Sequence, residues 1–336
     1  MTATVPASSD RALIDAADAA RVGQLLSSSR APETKRSYAA AIKVFSGWCH
    51  ERDYAAFPAD PVIVAAYIAW RGERFAHVTV ARDLAAISAT HLDSGLEDPT
   101  RHHGVRQALR AVARERGVSP ARRAAPVTTE ILRRILTAMD DREELTGRRD
   151  AAIMLLGLAA AMRRGELASA RPSDLALREN GLLLRISRSK TDQLGAGEVV
   201  GIPYGAHPDT CPVLAVLAWL EVSDRRLGDD TPLFSRIYNR RSVGDQPLSG
   251  RSIARIIQAR AEAAGVQGDE YQSMSAGDTW ISGHSLRAGH ATSAAEAGAD
   301  VSRIARTTRH KRLESLAQYV RPLSAVDDST AGQIGL

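Results

Sequence analysis

The sequence predicts a mainly α protein built from a helical amino-terminal domain and a longer α+β domain that holds a small antiparallel sheet. Three observations carry that expectation. Apolar residues recur at helical spacing between residues 32 and 116, and no alternating pattern precedes residue 125. The periodicity then shifts to three short strand candidates around Asn180-Gly181, a dipeptide that favours a tight hairpin between apolar segments. The βα rhythm of a Rossmann or barrel fold is missing, as is any G-x-x-x-x-G-K loop, so ATP and dinucleotide chemistry find no support.

Residues 1–30 are expected to form a flexible amino-terminal segment with one helix-permissive stretch, 11–26. Pro32 opens the next helix, in an early position where its missing N–H costs nothing, and Tyr38, Ile42, Phe45 and Trp48 give that helix its apolar spacing. A second helix follows Pro58 and Pro61 through Val64, Tyr67, Ile68 and Trp70. A third starts after Thr79 and carries Leu84, Ile87 and His91, and a fourth follows Pro99 with Val105, Leu109 and Val112. Together they define a helical domain over 31–116. Gly117, Pro120 and Pro126 mark a linker at 117–126, whose Arg122 and Arg123 suit either a solvated hinge or a phosphate backbone.

The second domain is expected over 127–321. Helices are predicted at 129–139 and 148–161, the latter apolar enough to be central to the core. Strands follow at 174–178, 182–187 and 198–202, with a polar run at 191–197 between the last two. Helices resume at 213–223, 252–264, 284–297, 301–307 and 313–320, whereas 244–250 and 265–283 are glycine- and serine-rich enough to be loops. Pro322 stops the last helix, leaving a tail at 322–336.

Composition limits what such a protein does. Forty-four basic residues against 39 acidic ones give +5 over 336 residues, a balance that suits an anionic partner. Residues 1–125 hold 17 basic and 13 acidic side chains, the remainder 27 and 26, so the excess lies in the helical half. Aromatics, at 4%, are too sparse for base-stacking platforms. Two cysteines, Cys49 and Cys211, exclude a disulfide scaffold and a thiolate metal cluster; no metal and no cofactor is expected. Charges break every long apolar run, and Asp10, Asp15 and Asp18 leave no apolar export core, so a cytoplasmic protein is expected. Only Lys35, Lys43, Lys190 and Lys311 are lysines, which makes Lys190 conspicuous.

Four features in the second half carry chemistry. Arg163 and Glu166 are three apart and share a helical face, as a simple ion pair also would. Lys190 falls in the turn after a predicted strand, where a solvated lysine is the plain alternative. His284 and Arg287 enter a helix after a flexible loop, and His310 precedes Tyr319 by nine residues. Each alone is weak. Together, Arg163-x-x-Glu166-Leu167, Lys190, His284-x-x-Arg287, His310 and Tyr319 resemble, in order and spacing, the active-site signature of the tyrosine recombinases, the phage integrase family. The resemblance spans about residues 30–325 and is most specific from His284 to Tyr319, where it is similar to Cre-like members.

The resemblance implies a helical core-binding domain, a catalytic domain of the tyrosine recombinase fold, and a site-specific DNA recombinase or integrase. Tyr319 would attack the scissile phosphorus to form a 3′-phosphotyrosine and release a 5′-hydroxyl. Arg163 and Arg287 would clamp the non-bridging oxygens through guanidinium forks, with a further hydrogen bond from His310. Lys190 would protonate the leaving oxygen, His284 would assist, and Glu166 would fix Arg163 or His284. The implied partners are double-stranded DNA with inverted-repeat sites, a homo-tetramer on two such sites that passes through a Holliday junction, and an accessory protein or partner recombinase. Both domains would touch DNA as a clamp.

The candidate phosphate contacts are Lys35, Arg36, Lys43, Arg106, Arg110, Arg114, Arg122, Arg123, Arg240, Arg241, Arg251 and Arg255; those at 106, 110 and 114 recur every four residues. Arg309, where many members have glycine, would restrict a turn or add a phosphate contact. The lack of an arm-binding segment leans towards a simple Cre-like system. The alternatives are a type IB topoisomerase, which shares this chemistry, and a catalytically silent DNA-binding protein.

Overall fold

Prolines and side-chain caps set where the helices of the first half begin. The computed structural model describes residues 15–28, 30–117, 122–186, 197–266, 278–310 and 316. The chain divides into two units, Met1–Ala121 and Arg122–Leu336. In the first, α1 (Ala16–Ser28) precedes α2 (Pro32–His50) and α3 (Pro61–Gly72), both with proline in the first turn. The Asp60 carboxylate accepts from the Val62 N–H at 2.7 Å and caps α3. Helix α4 (His77–Asp93) begins two residues before Thr79 becomes its third position, because the chain turns at Ala76, which has no capping side chain to betray it. A short 3₁₀ turn, Pro99–Arg101, then leads into α5 (His103–Arg116).

Phe45, Trp48, Tyr67, Ile68, Val80, Ile87 and Val105 fill the core between these helices. One charge pair is buried there: Arg71 Nε donates to Asp83 Oδ2 at 2.8 Å, and the Tyr67 hydroxyl shares that oxygen at 3.3 Å. Removing either partner would strand a buried charge.

The second unit opens with a correction. Arg122–Ala124, expected in the linker, form β1, which pairs in parallel with a strand some 150 residues later in the chain. Helices α6 (Thr129–Thr137), α7 (Leu145–Ala159) and α8 (Arg164–Ser169) follow. Helix α7 is buried along nearly its whole length, as its apolar sequence requires. Strands β2 (Leu175–Arg178), β3 (Gly181–Ile186) and β4 (Glu198–Pro203) make an antiparallel sheet in that order. The hairpin turn uses Glu179-Asn180 rather than Asn180-Gly181, since Gly181 already pairs with Arg178 and with Pro203. A Cβ at Gly181 would come within 2.2 Å of the Ile202 carbonyl oxygen, so glycine serves close approach there.

Helix α9 (Pro212–Val222) is followed by a hairpin of β5 (Ser235–Tyr238), for which no element was expected, and β6 (Ser242–Pro247), whose end corrects the start of the loop expected at 244–250. Then come α10 (Gly250–Ala263), β7 (Asp278–Trp280), α11 (Ser285–Glu296) and α12 (Val301–Thr308). Strand β7 is the partner of β1 and corrects the end of the loop expected over 265–283. Arg260 ties α10 to the start of α7: its guanidinium grips both Asp141 oxygens at 2.7 Å, and its Nε donates to Asp150 at 2.9 Å. Of the helix expected at 313–320 only Leu316 is described, fully buried beside Ala291 of α11 and Ile304 of α12.

Candidate active site

The carboxyl end of α7 organises the site. The helix stops in a Schellman turn: Met162 N–H reaches the Gly157 carbonyl at 2.9 Å, Ala161 N–H the Leu158 carbonyl at 3.1 Å, and Ala161 takes a left-handed φ of 47°. The last carbonyls of a helix form its negative pole and call for donors. Here they receive side chains from the distant carboxyl-terminal helices. His290 Nδ1–H donates to Leu158, Arg309 Nη1 to Ala160 at 2.8 Å, and both Arg287 Nη1 and Arg309 Nη2 to Ala161 at 2.9 and 3.1 Å.

Arg163 follows directly as the residue preceding α8. Its backbone N–H donates to Glu166 Oε2 at 2.9 Å and its Nη1 to Glu166 Oε1 at 2.7 Å. Because Glu166 takes the orphan N–H at the helix start, it is fixed by backbone and fixes the guanidinium in turn. Glu166 is buried, whereas 18% of the Arg163 side chain stays open. Arg287, on the first turn of α11, is 1% exposed. Helix α11 reaches this depth because Gly289 lies against the Val127 backbone, where a Cβ would meet the carbonyl oxygen at 1.8 Å.

Two histidines complete the cluster. His284 precedes α11 and is exposed, yet its crowded surroundings together with Arg287, Arg163 and Arg164 push its pKa down to about 4. Desolvation, then Arg287, Arg163, His284 and Arg309, hold His310 down to about 4 as well. Thr308 settles which nitrogen of His310 carries hydrogen. Its hydroxyl lies 2.7 Å from the Ile304 carbonyl, which can only accept, and 2.7 Å from His310 Nδ1. The hydroxyl proton therefore goes to Ile304, and neutral His310 is protonated on Nδ1.

Arg163, Glu166, His284, Arg287 and His310 are thus brought together from three segments of the second unit. Lys190 and Tyr319 lie outside the described residues. Glu166 holds Arg163, one of the two roles expected of it, and holds Arg309 rather than His284. Of the two effects expected of Arg309, the structure shows the constrained turn, a left-handed φ of 56° at the end of α12; its side chain is 2% exposed and reaches inward, so it adds no phosphate contact at the surface. The sequence reading also left out the Ala161 carbonyl, whose partners Arg287 and Arg309 only folding brings near, and Thr308, whose partners Ile304 and His310 are its neighbours in the chain.

Among the basic candidates, Lys35, Arg36 and Lys43 on α2, Arg106, Arg110 and Arg114 on α5, and Arg251 and Arg255 on α10 are all exposed. Arg240 and Arg241 occupy the exposed turn of the β5–β6 hairpin. Arg122 and Arg123 lie in β1, their backbones committed to a ladder. Among the described residues, no group of three or more His, Cys, Asp or Glu side chains is placed to hold a metal ion.

Comparison with known proteins agrees with this geometry. The model of the phage integrase family matches residues 127–325. An integrase/recombinase XerD homologue from Selenomonas ruminantium is 34% identical over 312 residues, covering 92% of this chain and 87% of that protein. A tyrosine recombinase of Synechococcus elongatus is 27% identical over 332 residues, 95% of this chain and 94% of the relative. Among solved structures, the XerH site-specific recombinase bound to palindromic difH substrate matches with a TM-score of 0.55 at 14% identity, over 87% of this chain and 79% of that one. Lambda integrase bound to DNA matches with a TM-score of 0.54 at 18% identity, over 92% and 96%. This chain belongs to the phage integrase family and is a tyrosine recombinase.

Proposed function

We propose that this chain cuts and rejoins duplex DNA at a defined site, with Tyr319 as the nucleophile and Arg163 and Arg287 as the clamp on the scissile phosphate. The observation that carries this reading is the convergence of both arginines on the end of α7, one through Glu166 and the other through the Ala161 carbonyl. Two guanidiniums preorganised by buried acceptors stabilise the charge that builds on a phosphorane without reorganising during the reaction. Tyrosine, with a pKa near 10, is a poor nucleophile at neutral pH and needs such help. Attack by Tyr319 forms the P–O bond to tyrosine as the bond to the 5′ oxygen breaks; the phenolic proton passes to the neutral imidazole of His284, and Lys190 gives the leaving oxygen a proton. The 5′-hydroxyl of a second strand reverses the step and frees Tyr319.

The wider reading follows the relatives. XerH and lambda integrase were solved on DNA, and the exposed arginines of α5 and α10 suit phosphate contacts here. A homo-tetramer on two inverted-repeat sites, exchanging strands through a Holliday junction in the cytoplasm, completes the proposal, together with a Cre-like simplicity of components.

Covalent capture tests it. The protein is incubated with fragmented DNA from its source beside Tyr319→Phe, denatured, and its linked fragments are sequenced. One inverted-repeat site, enriched and absent from the variant, is the expected result. Adducts scattered without a shared site would support topoisomerase-like relaxation, and no adducts despite duplex binding would reduce the function to DNA binding.

A further inference from the structure

We propose that Arg309 is a positioning residue shared by both clamp arginines, an assignment that rests on the recombinase reading above. Arg309 ends α12 in the left-handed region, φ 56° and ψ 44°, a conformation disfavoured for any residue with a Cβ. Ending the helix needs only its backbone, and glycine does that more easily. The side chain accounts for the choice. Its guanidinium is buried, which costs solvation, and it meets four acceptors: the carbonyls of Ala160, Thr307 and Ala161 and the Glu166 carboxylate, the last at 2.7 Å.

Two of those acceptors are the ones that orient the clamp. Glu166 holds Arg163 with its other oxygen, and the Ala161 carbonyl also takes Arg287. Arg309 therefore fixes both acceptors at once, and it does so from the residue next to His310. A third link runs to the sheet. Arg309 Nε faces Glu198 Oε2 at 3.6 Å, and Glu198 pairs with Ile186 at the end of the β3–β4 hairpin, whose connection carries Lys190. A planar fork can serve acceptors on several elements together; a lysine ammonium in the same place would hold Glu166 and lose most of the carbonyls.

The test uses full-length Arg309→Gly and Arg309→Lys beside the wild type and Tyr319→Phe, with fragmented duplex DNA of the source organism as probe. Three quantities are measured: the adduct-forming rate at saturating DNA, the DNA concentration giving half that rate, and the melting temperature. Glycine adopts φ 56° freely, so it keeps the end of α12. The glycine variant is expected to form adducts about 100-fold more slowly at saturation, the scale set by misplaced reacting groups. Its half-saturating DNA concentration should stay within about twofold of wild type. The lysine variant should recover part of the loss. A glycine variant within about twofold of the wild-type rate overturns the assignment, as does a loss that lies wholly in DNA affinity. If the glycine variant fails to fold, the lysine variant decides: a wild-type rate there overturns the assignment, and a slowed rate with unchanged affinity supports it. A wild type that makes no Tyr319-dependent adducts overturns the recombinase reading, and this assignment with it.

Discussion

Desolvation, joined by the field of Arg287 and Arg163, holds His284 and His310 at pKa values of about 4, which leaves both imidazoles neutral at pH 7 in the free protein. An unfolded chain returns them to their ordinary 6.5, so between 6.5 and 4 the unfolded state binds more protons. Stability from these two groups is therefore complete above pH 6.5 and falls as the pH drops towards 4. Imidazole NMR titration should place both midpoints near 4; midpoints near 6.5 would show that neither desolvation nor the arginine field acts on them. The Nδ1–H form of His310 adds a second expectation. Nε2 is the acceptor of that neutral ring, so donating to a phosphate oxygen requires proton uptake, which a bound phosphate favours. Calorimetry of duplex binding near pH 6, in buffers of different ionisation enthalpy, should detect uptake; none would mean that His310 stays neutral in the complex. At this scale the sequence motif named Arg163, Glu166, His284, Arg287 and His310. It could not give Arg309 its role, because Glu166 and Ala161 lie well over a hundred residues earlier and only folding brings them together.

Close packing between elements sets the position of Arg287. Gly289 lets α11 touch the Val127 backbone, with a Cβ–oxygen distance of 1.8 Å if alanine were present. Backbone cannot yield as a side-chain tip can, so Gly289→Ala should destabilise by roughly 3 kcal/mol and lower activity with it. Gly165, on α8, has nothing within 4 Å of its Cβ position, and Gly165→Ala should stabilise by about 0.5–1 kcal/mol. Thermal melts compare the two; equal behaviour would contradict the packing account. The same scale explains what was legible in the fold. Helices α2 and α3 announce themselves through Pro32, Asp60 and Pro61, local signals that need no partner. Strands β1 and β7 are three residues each and exist through pairing with each other, so no local pattern marks them. The β5–β6 hairpin was hidden by turn-forming residues, with Asn239 and Arg240 both at positive φ. Its β6 strand is largely exposed and lacks the apolar alternation that marks β3 and β4.

Charge and assembly belong to the molecule as a whole. No helix among the described residues is long and apolar enough to cross a membrane. The exposed stripe of Arg106, Arg110 and Arg114 should contribute affinity without sequence preference. Replacing all three by alanine is expected to weaken duplex binding uniformly and to reduce the salt slope by roughly one per arginine. A changed site preference with an unchanged slope would instead mark them as base readers. In the proposed tetramer, residues 325–336, which lie outside the described structure, would act between protomers. Their removal should weaken pairing of two DNA sites more than binding to one, and equal loss of both would contradict that role.

The most direct test of the central claim is to locate the covalent bond. Adducts formed on a nicked duplex that traps the cleaved strand would be digested with protease and nuclease, then mapped by mass spectrometry. The account predicts a nucleotide joined through its 3′ phosphate to the Tyr319 hydroxyl, with a free 5′-hydroxyl on the other side of the break. A nucleotide on any other residue, or a 5′ linkage to Tyr319, would contradict it.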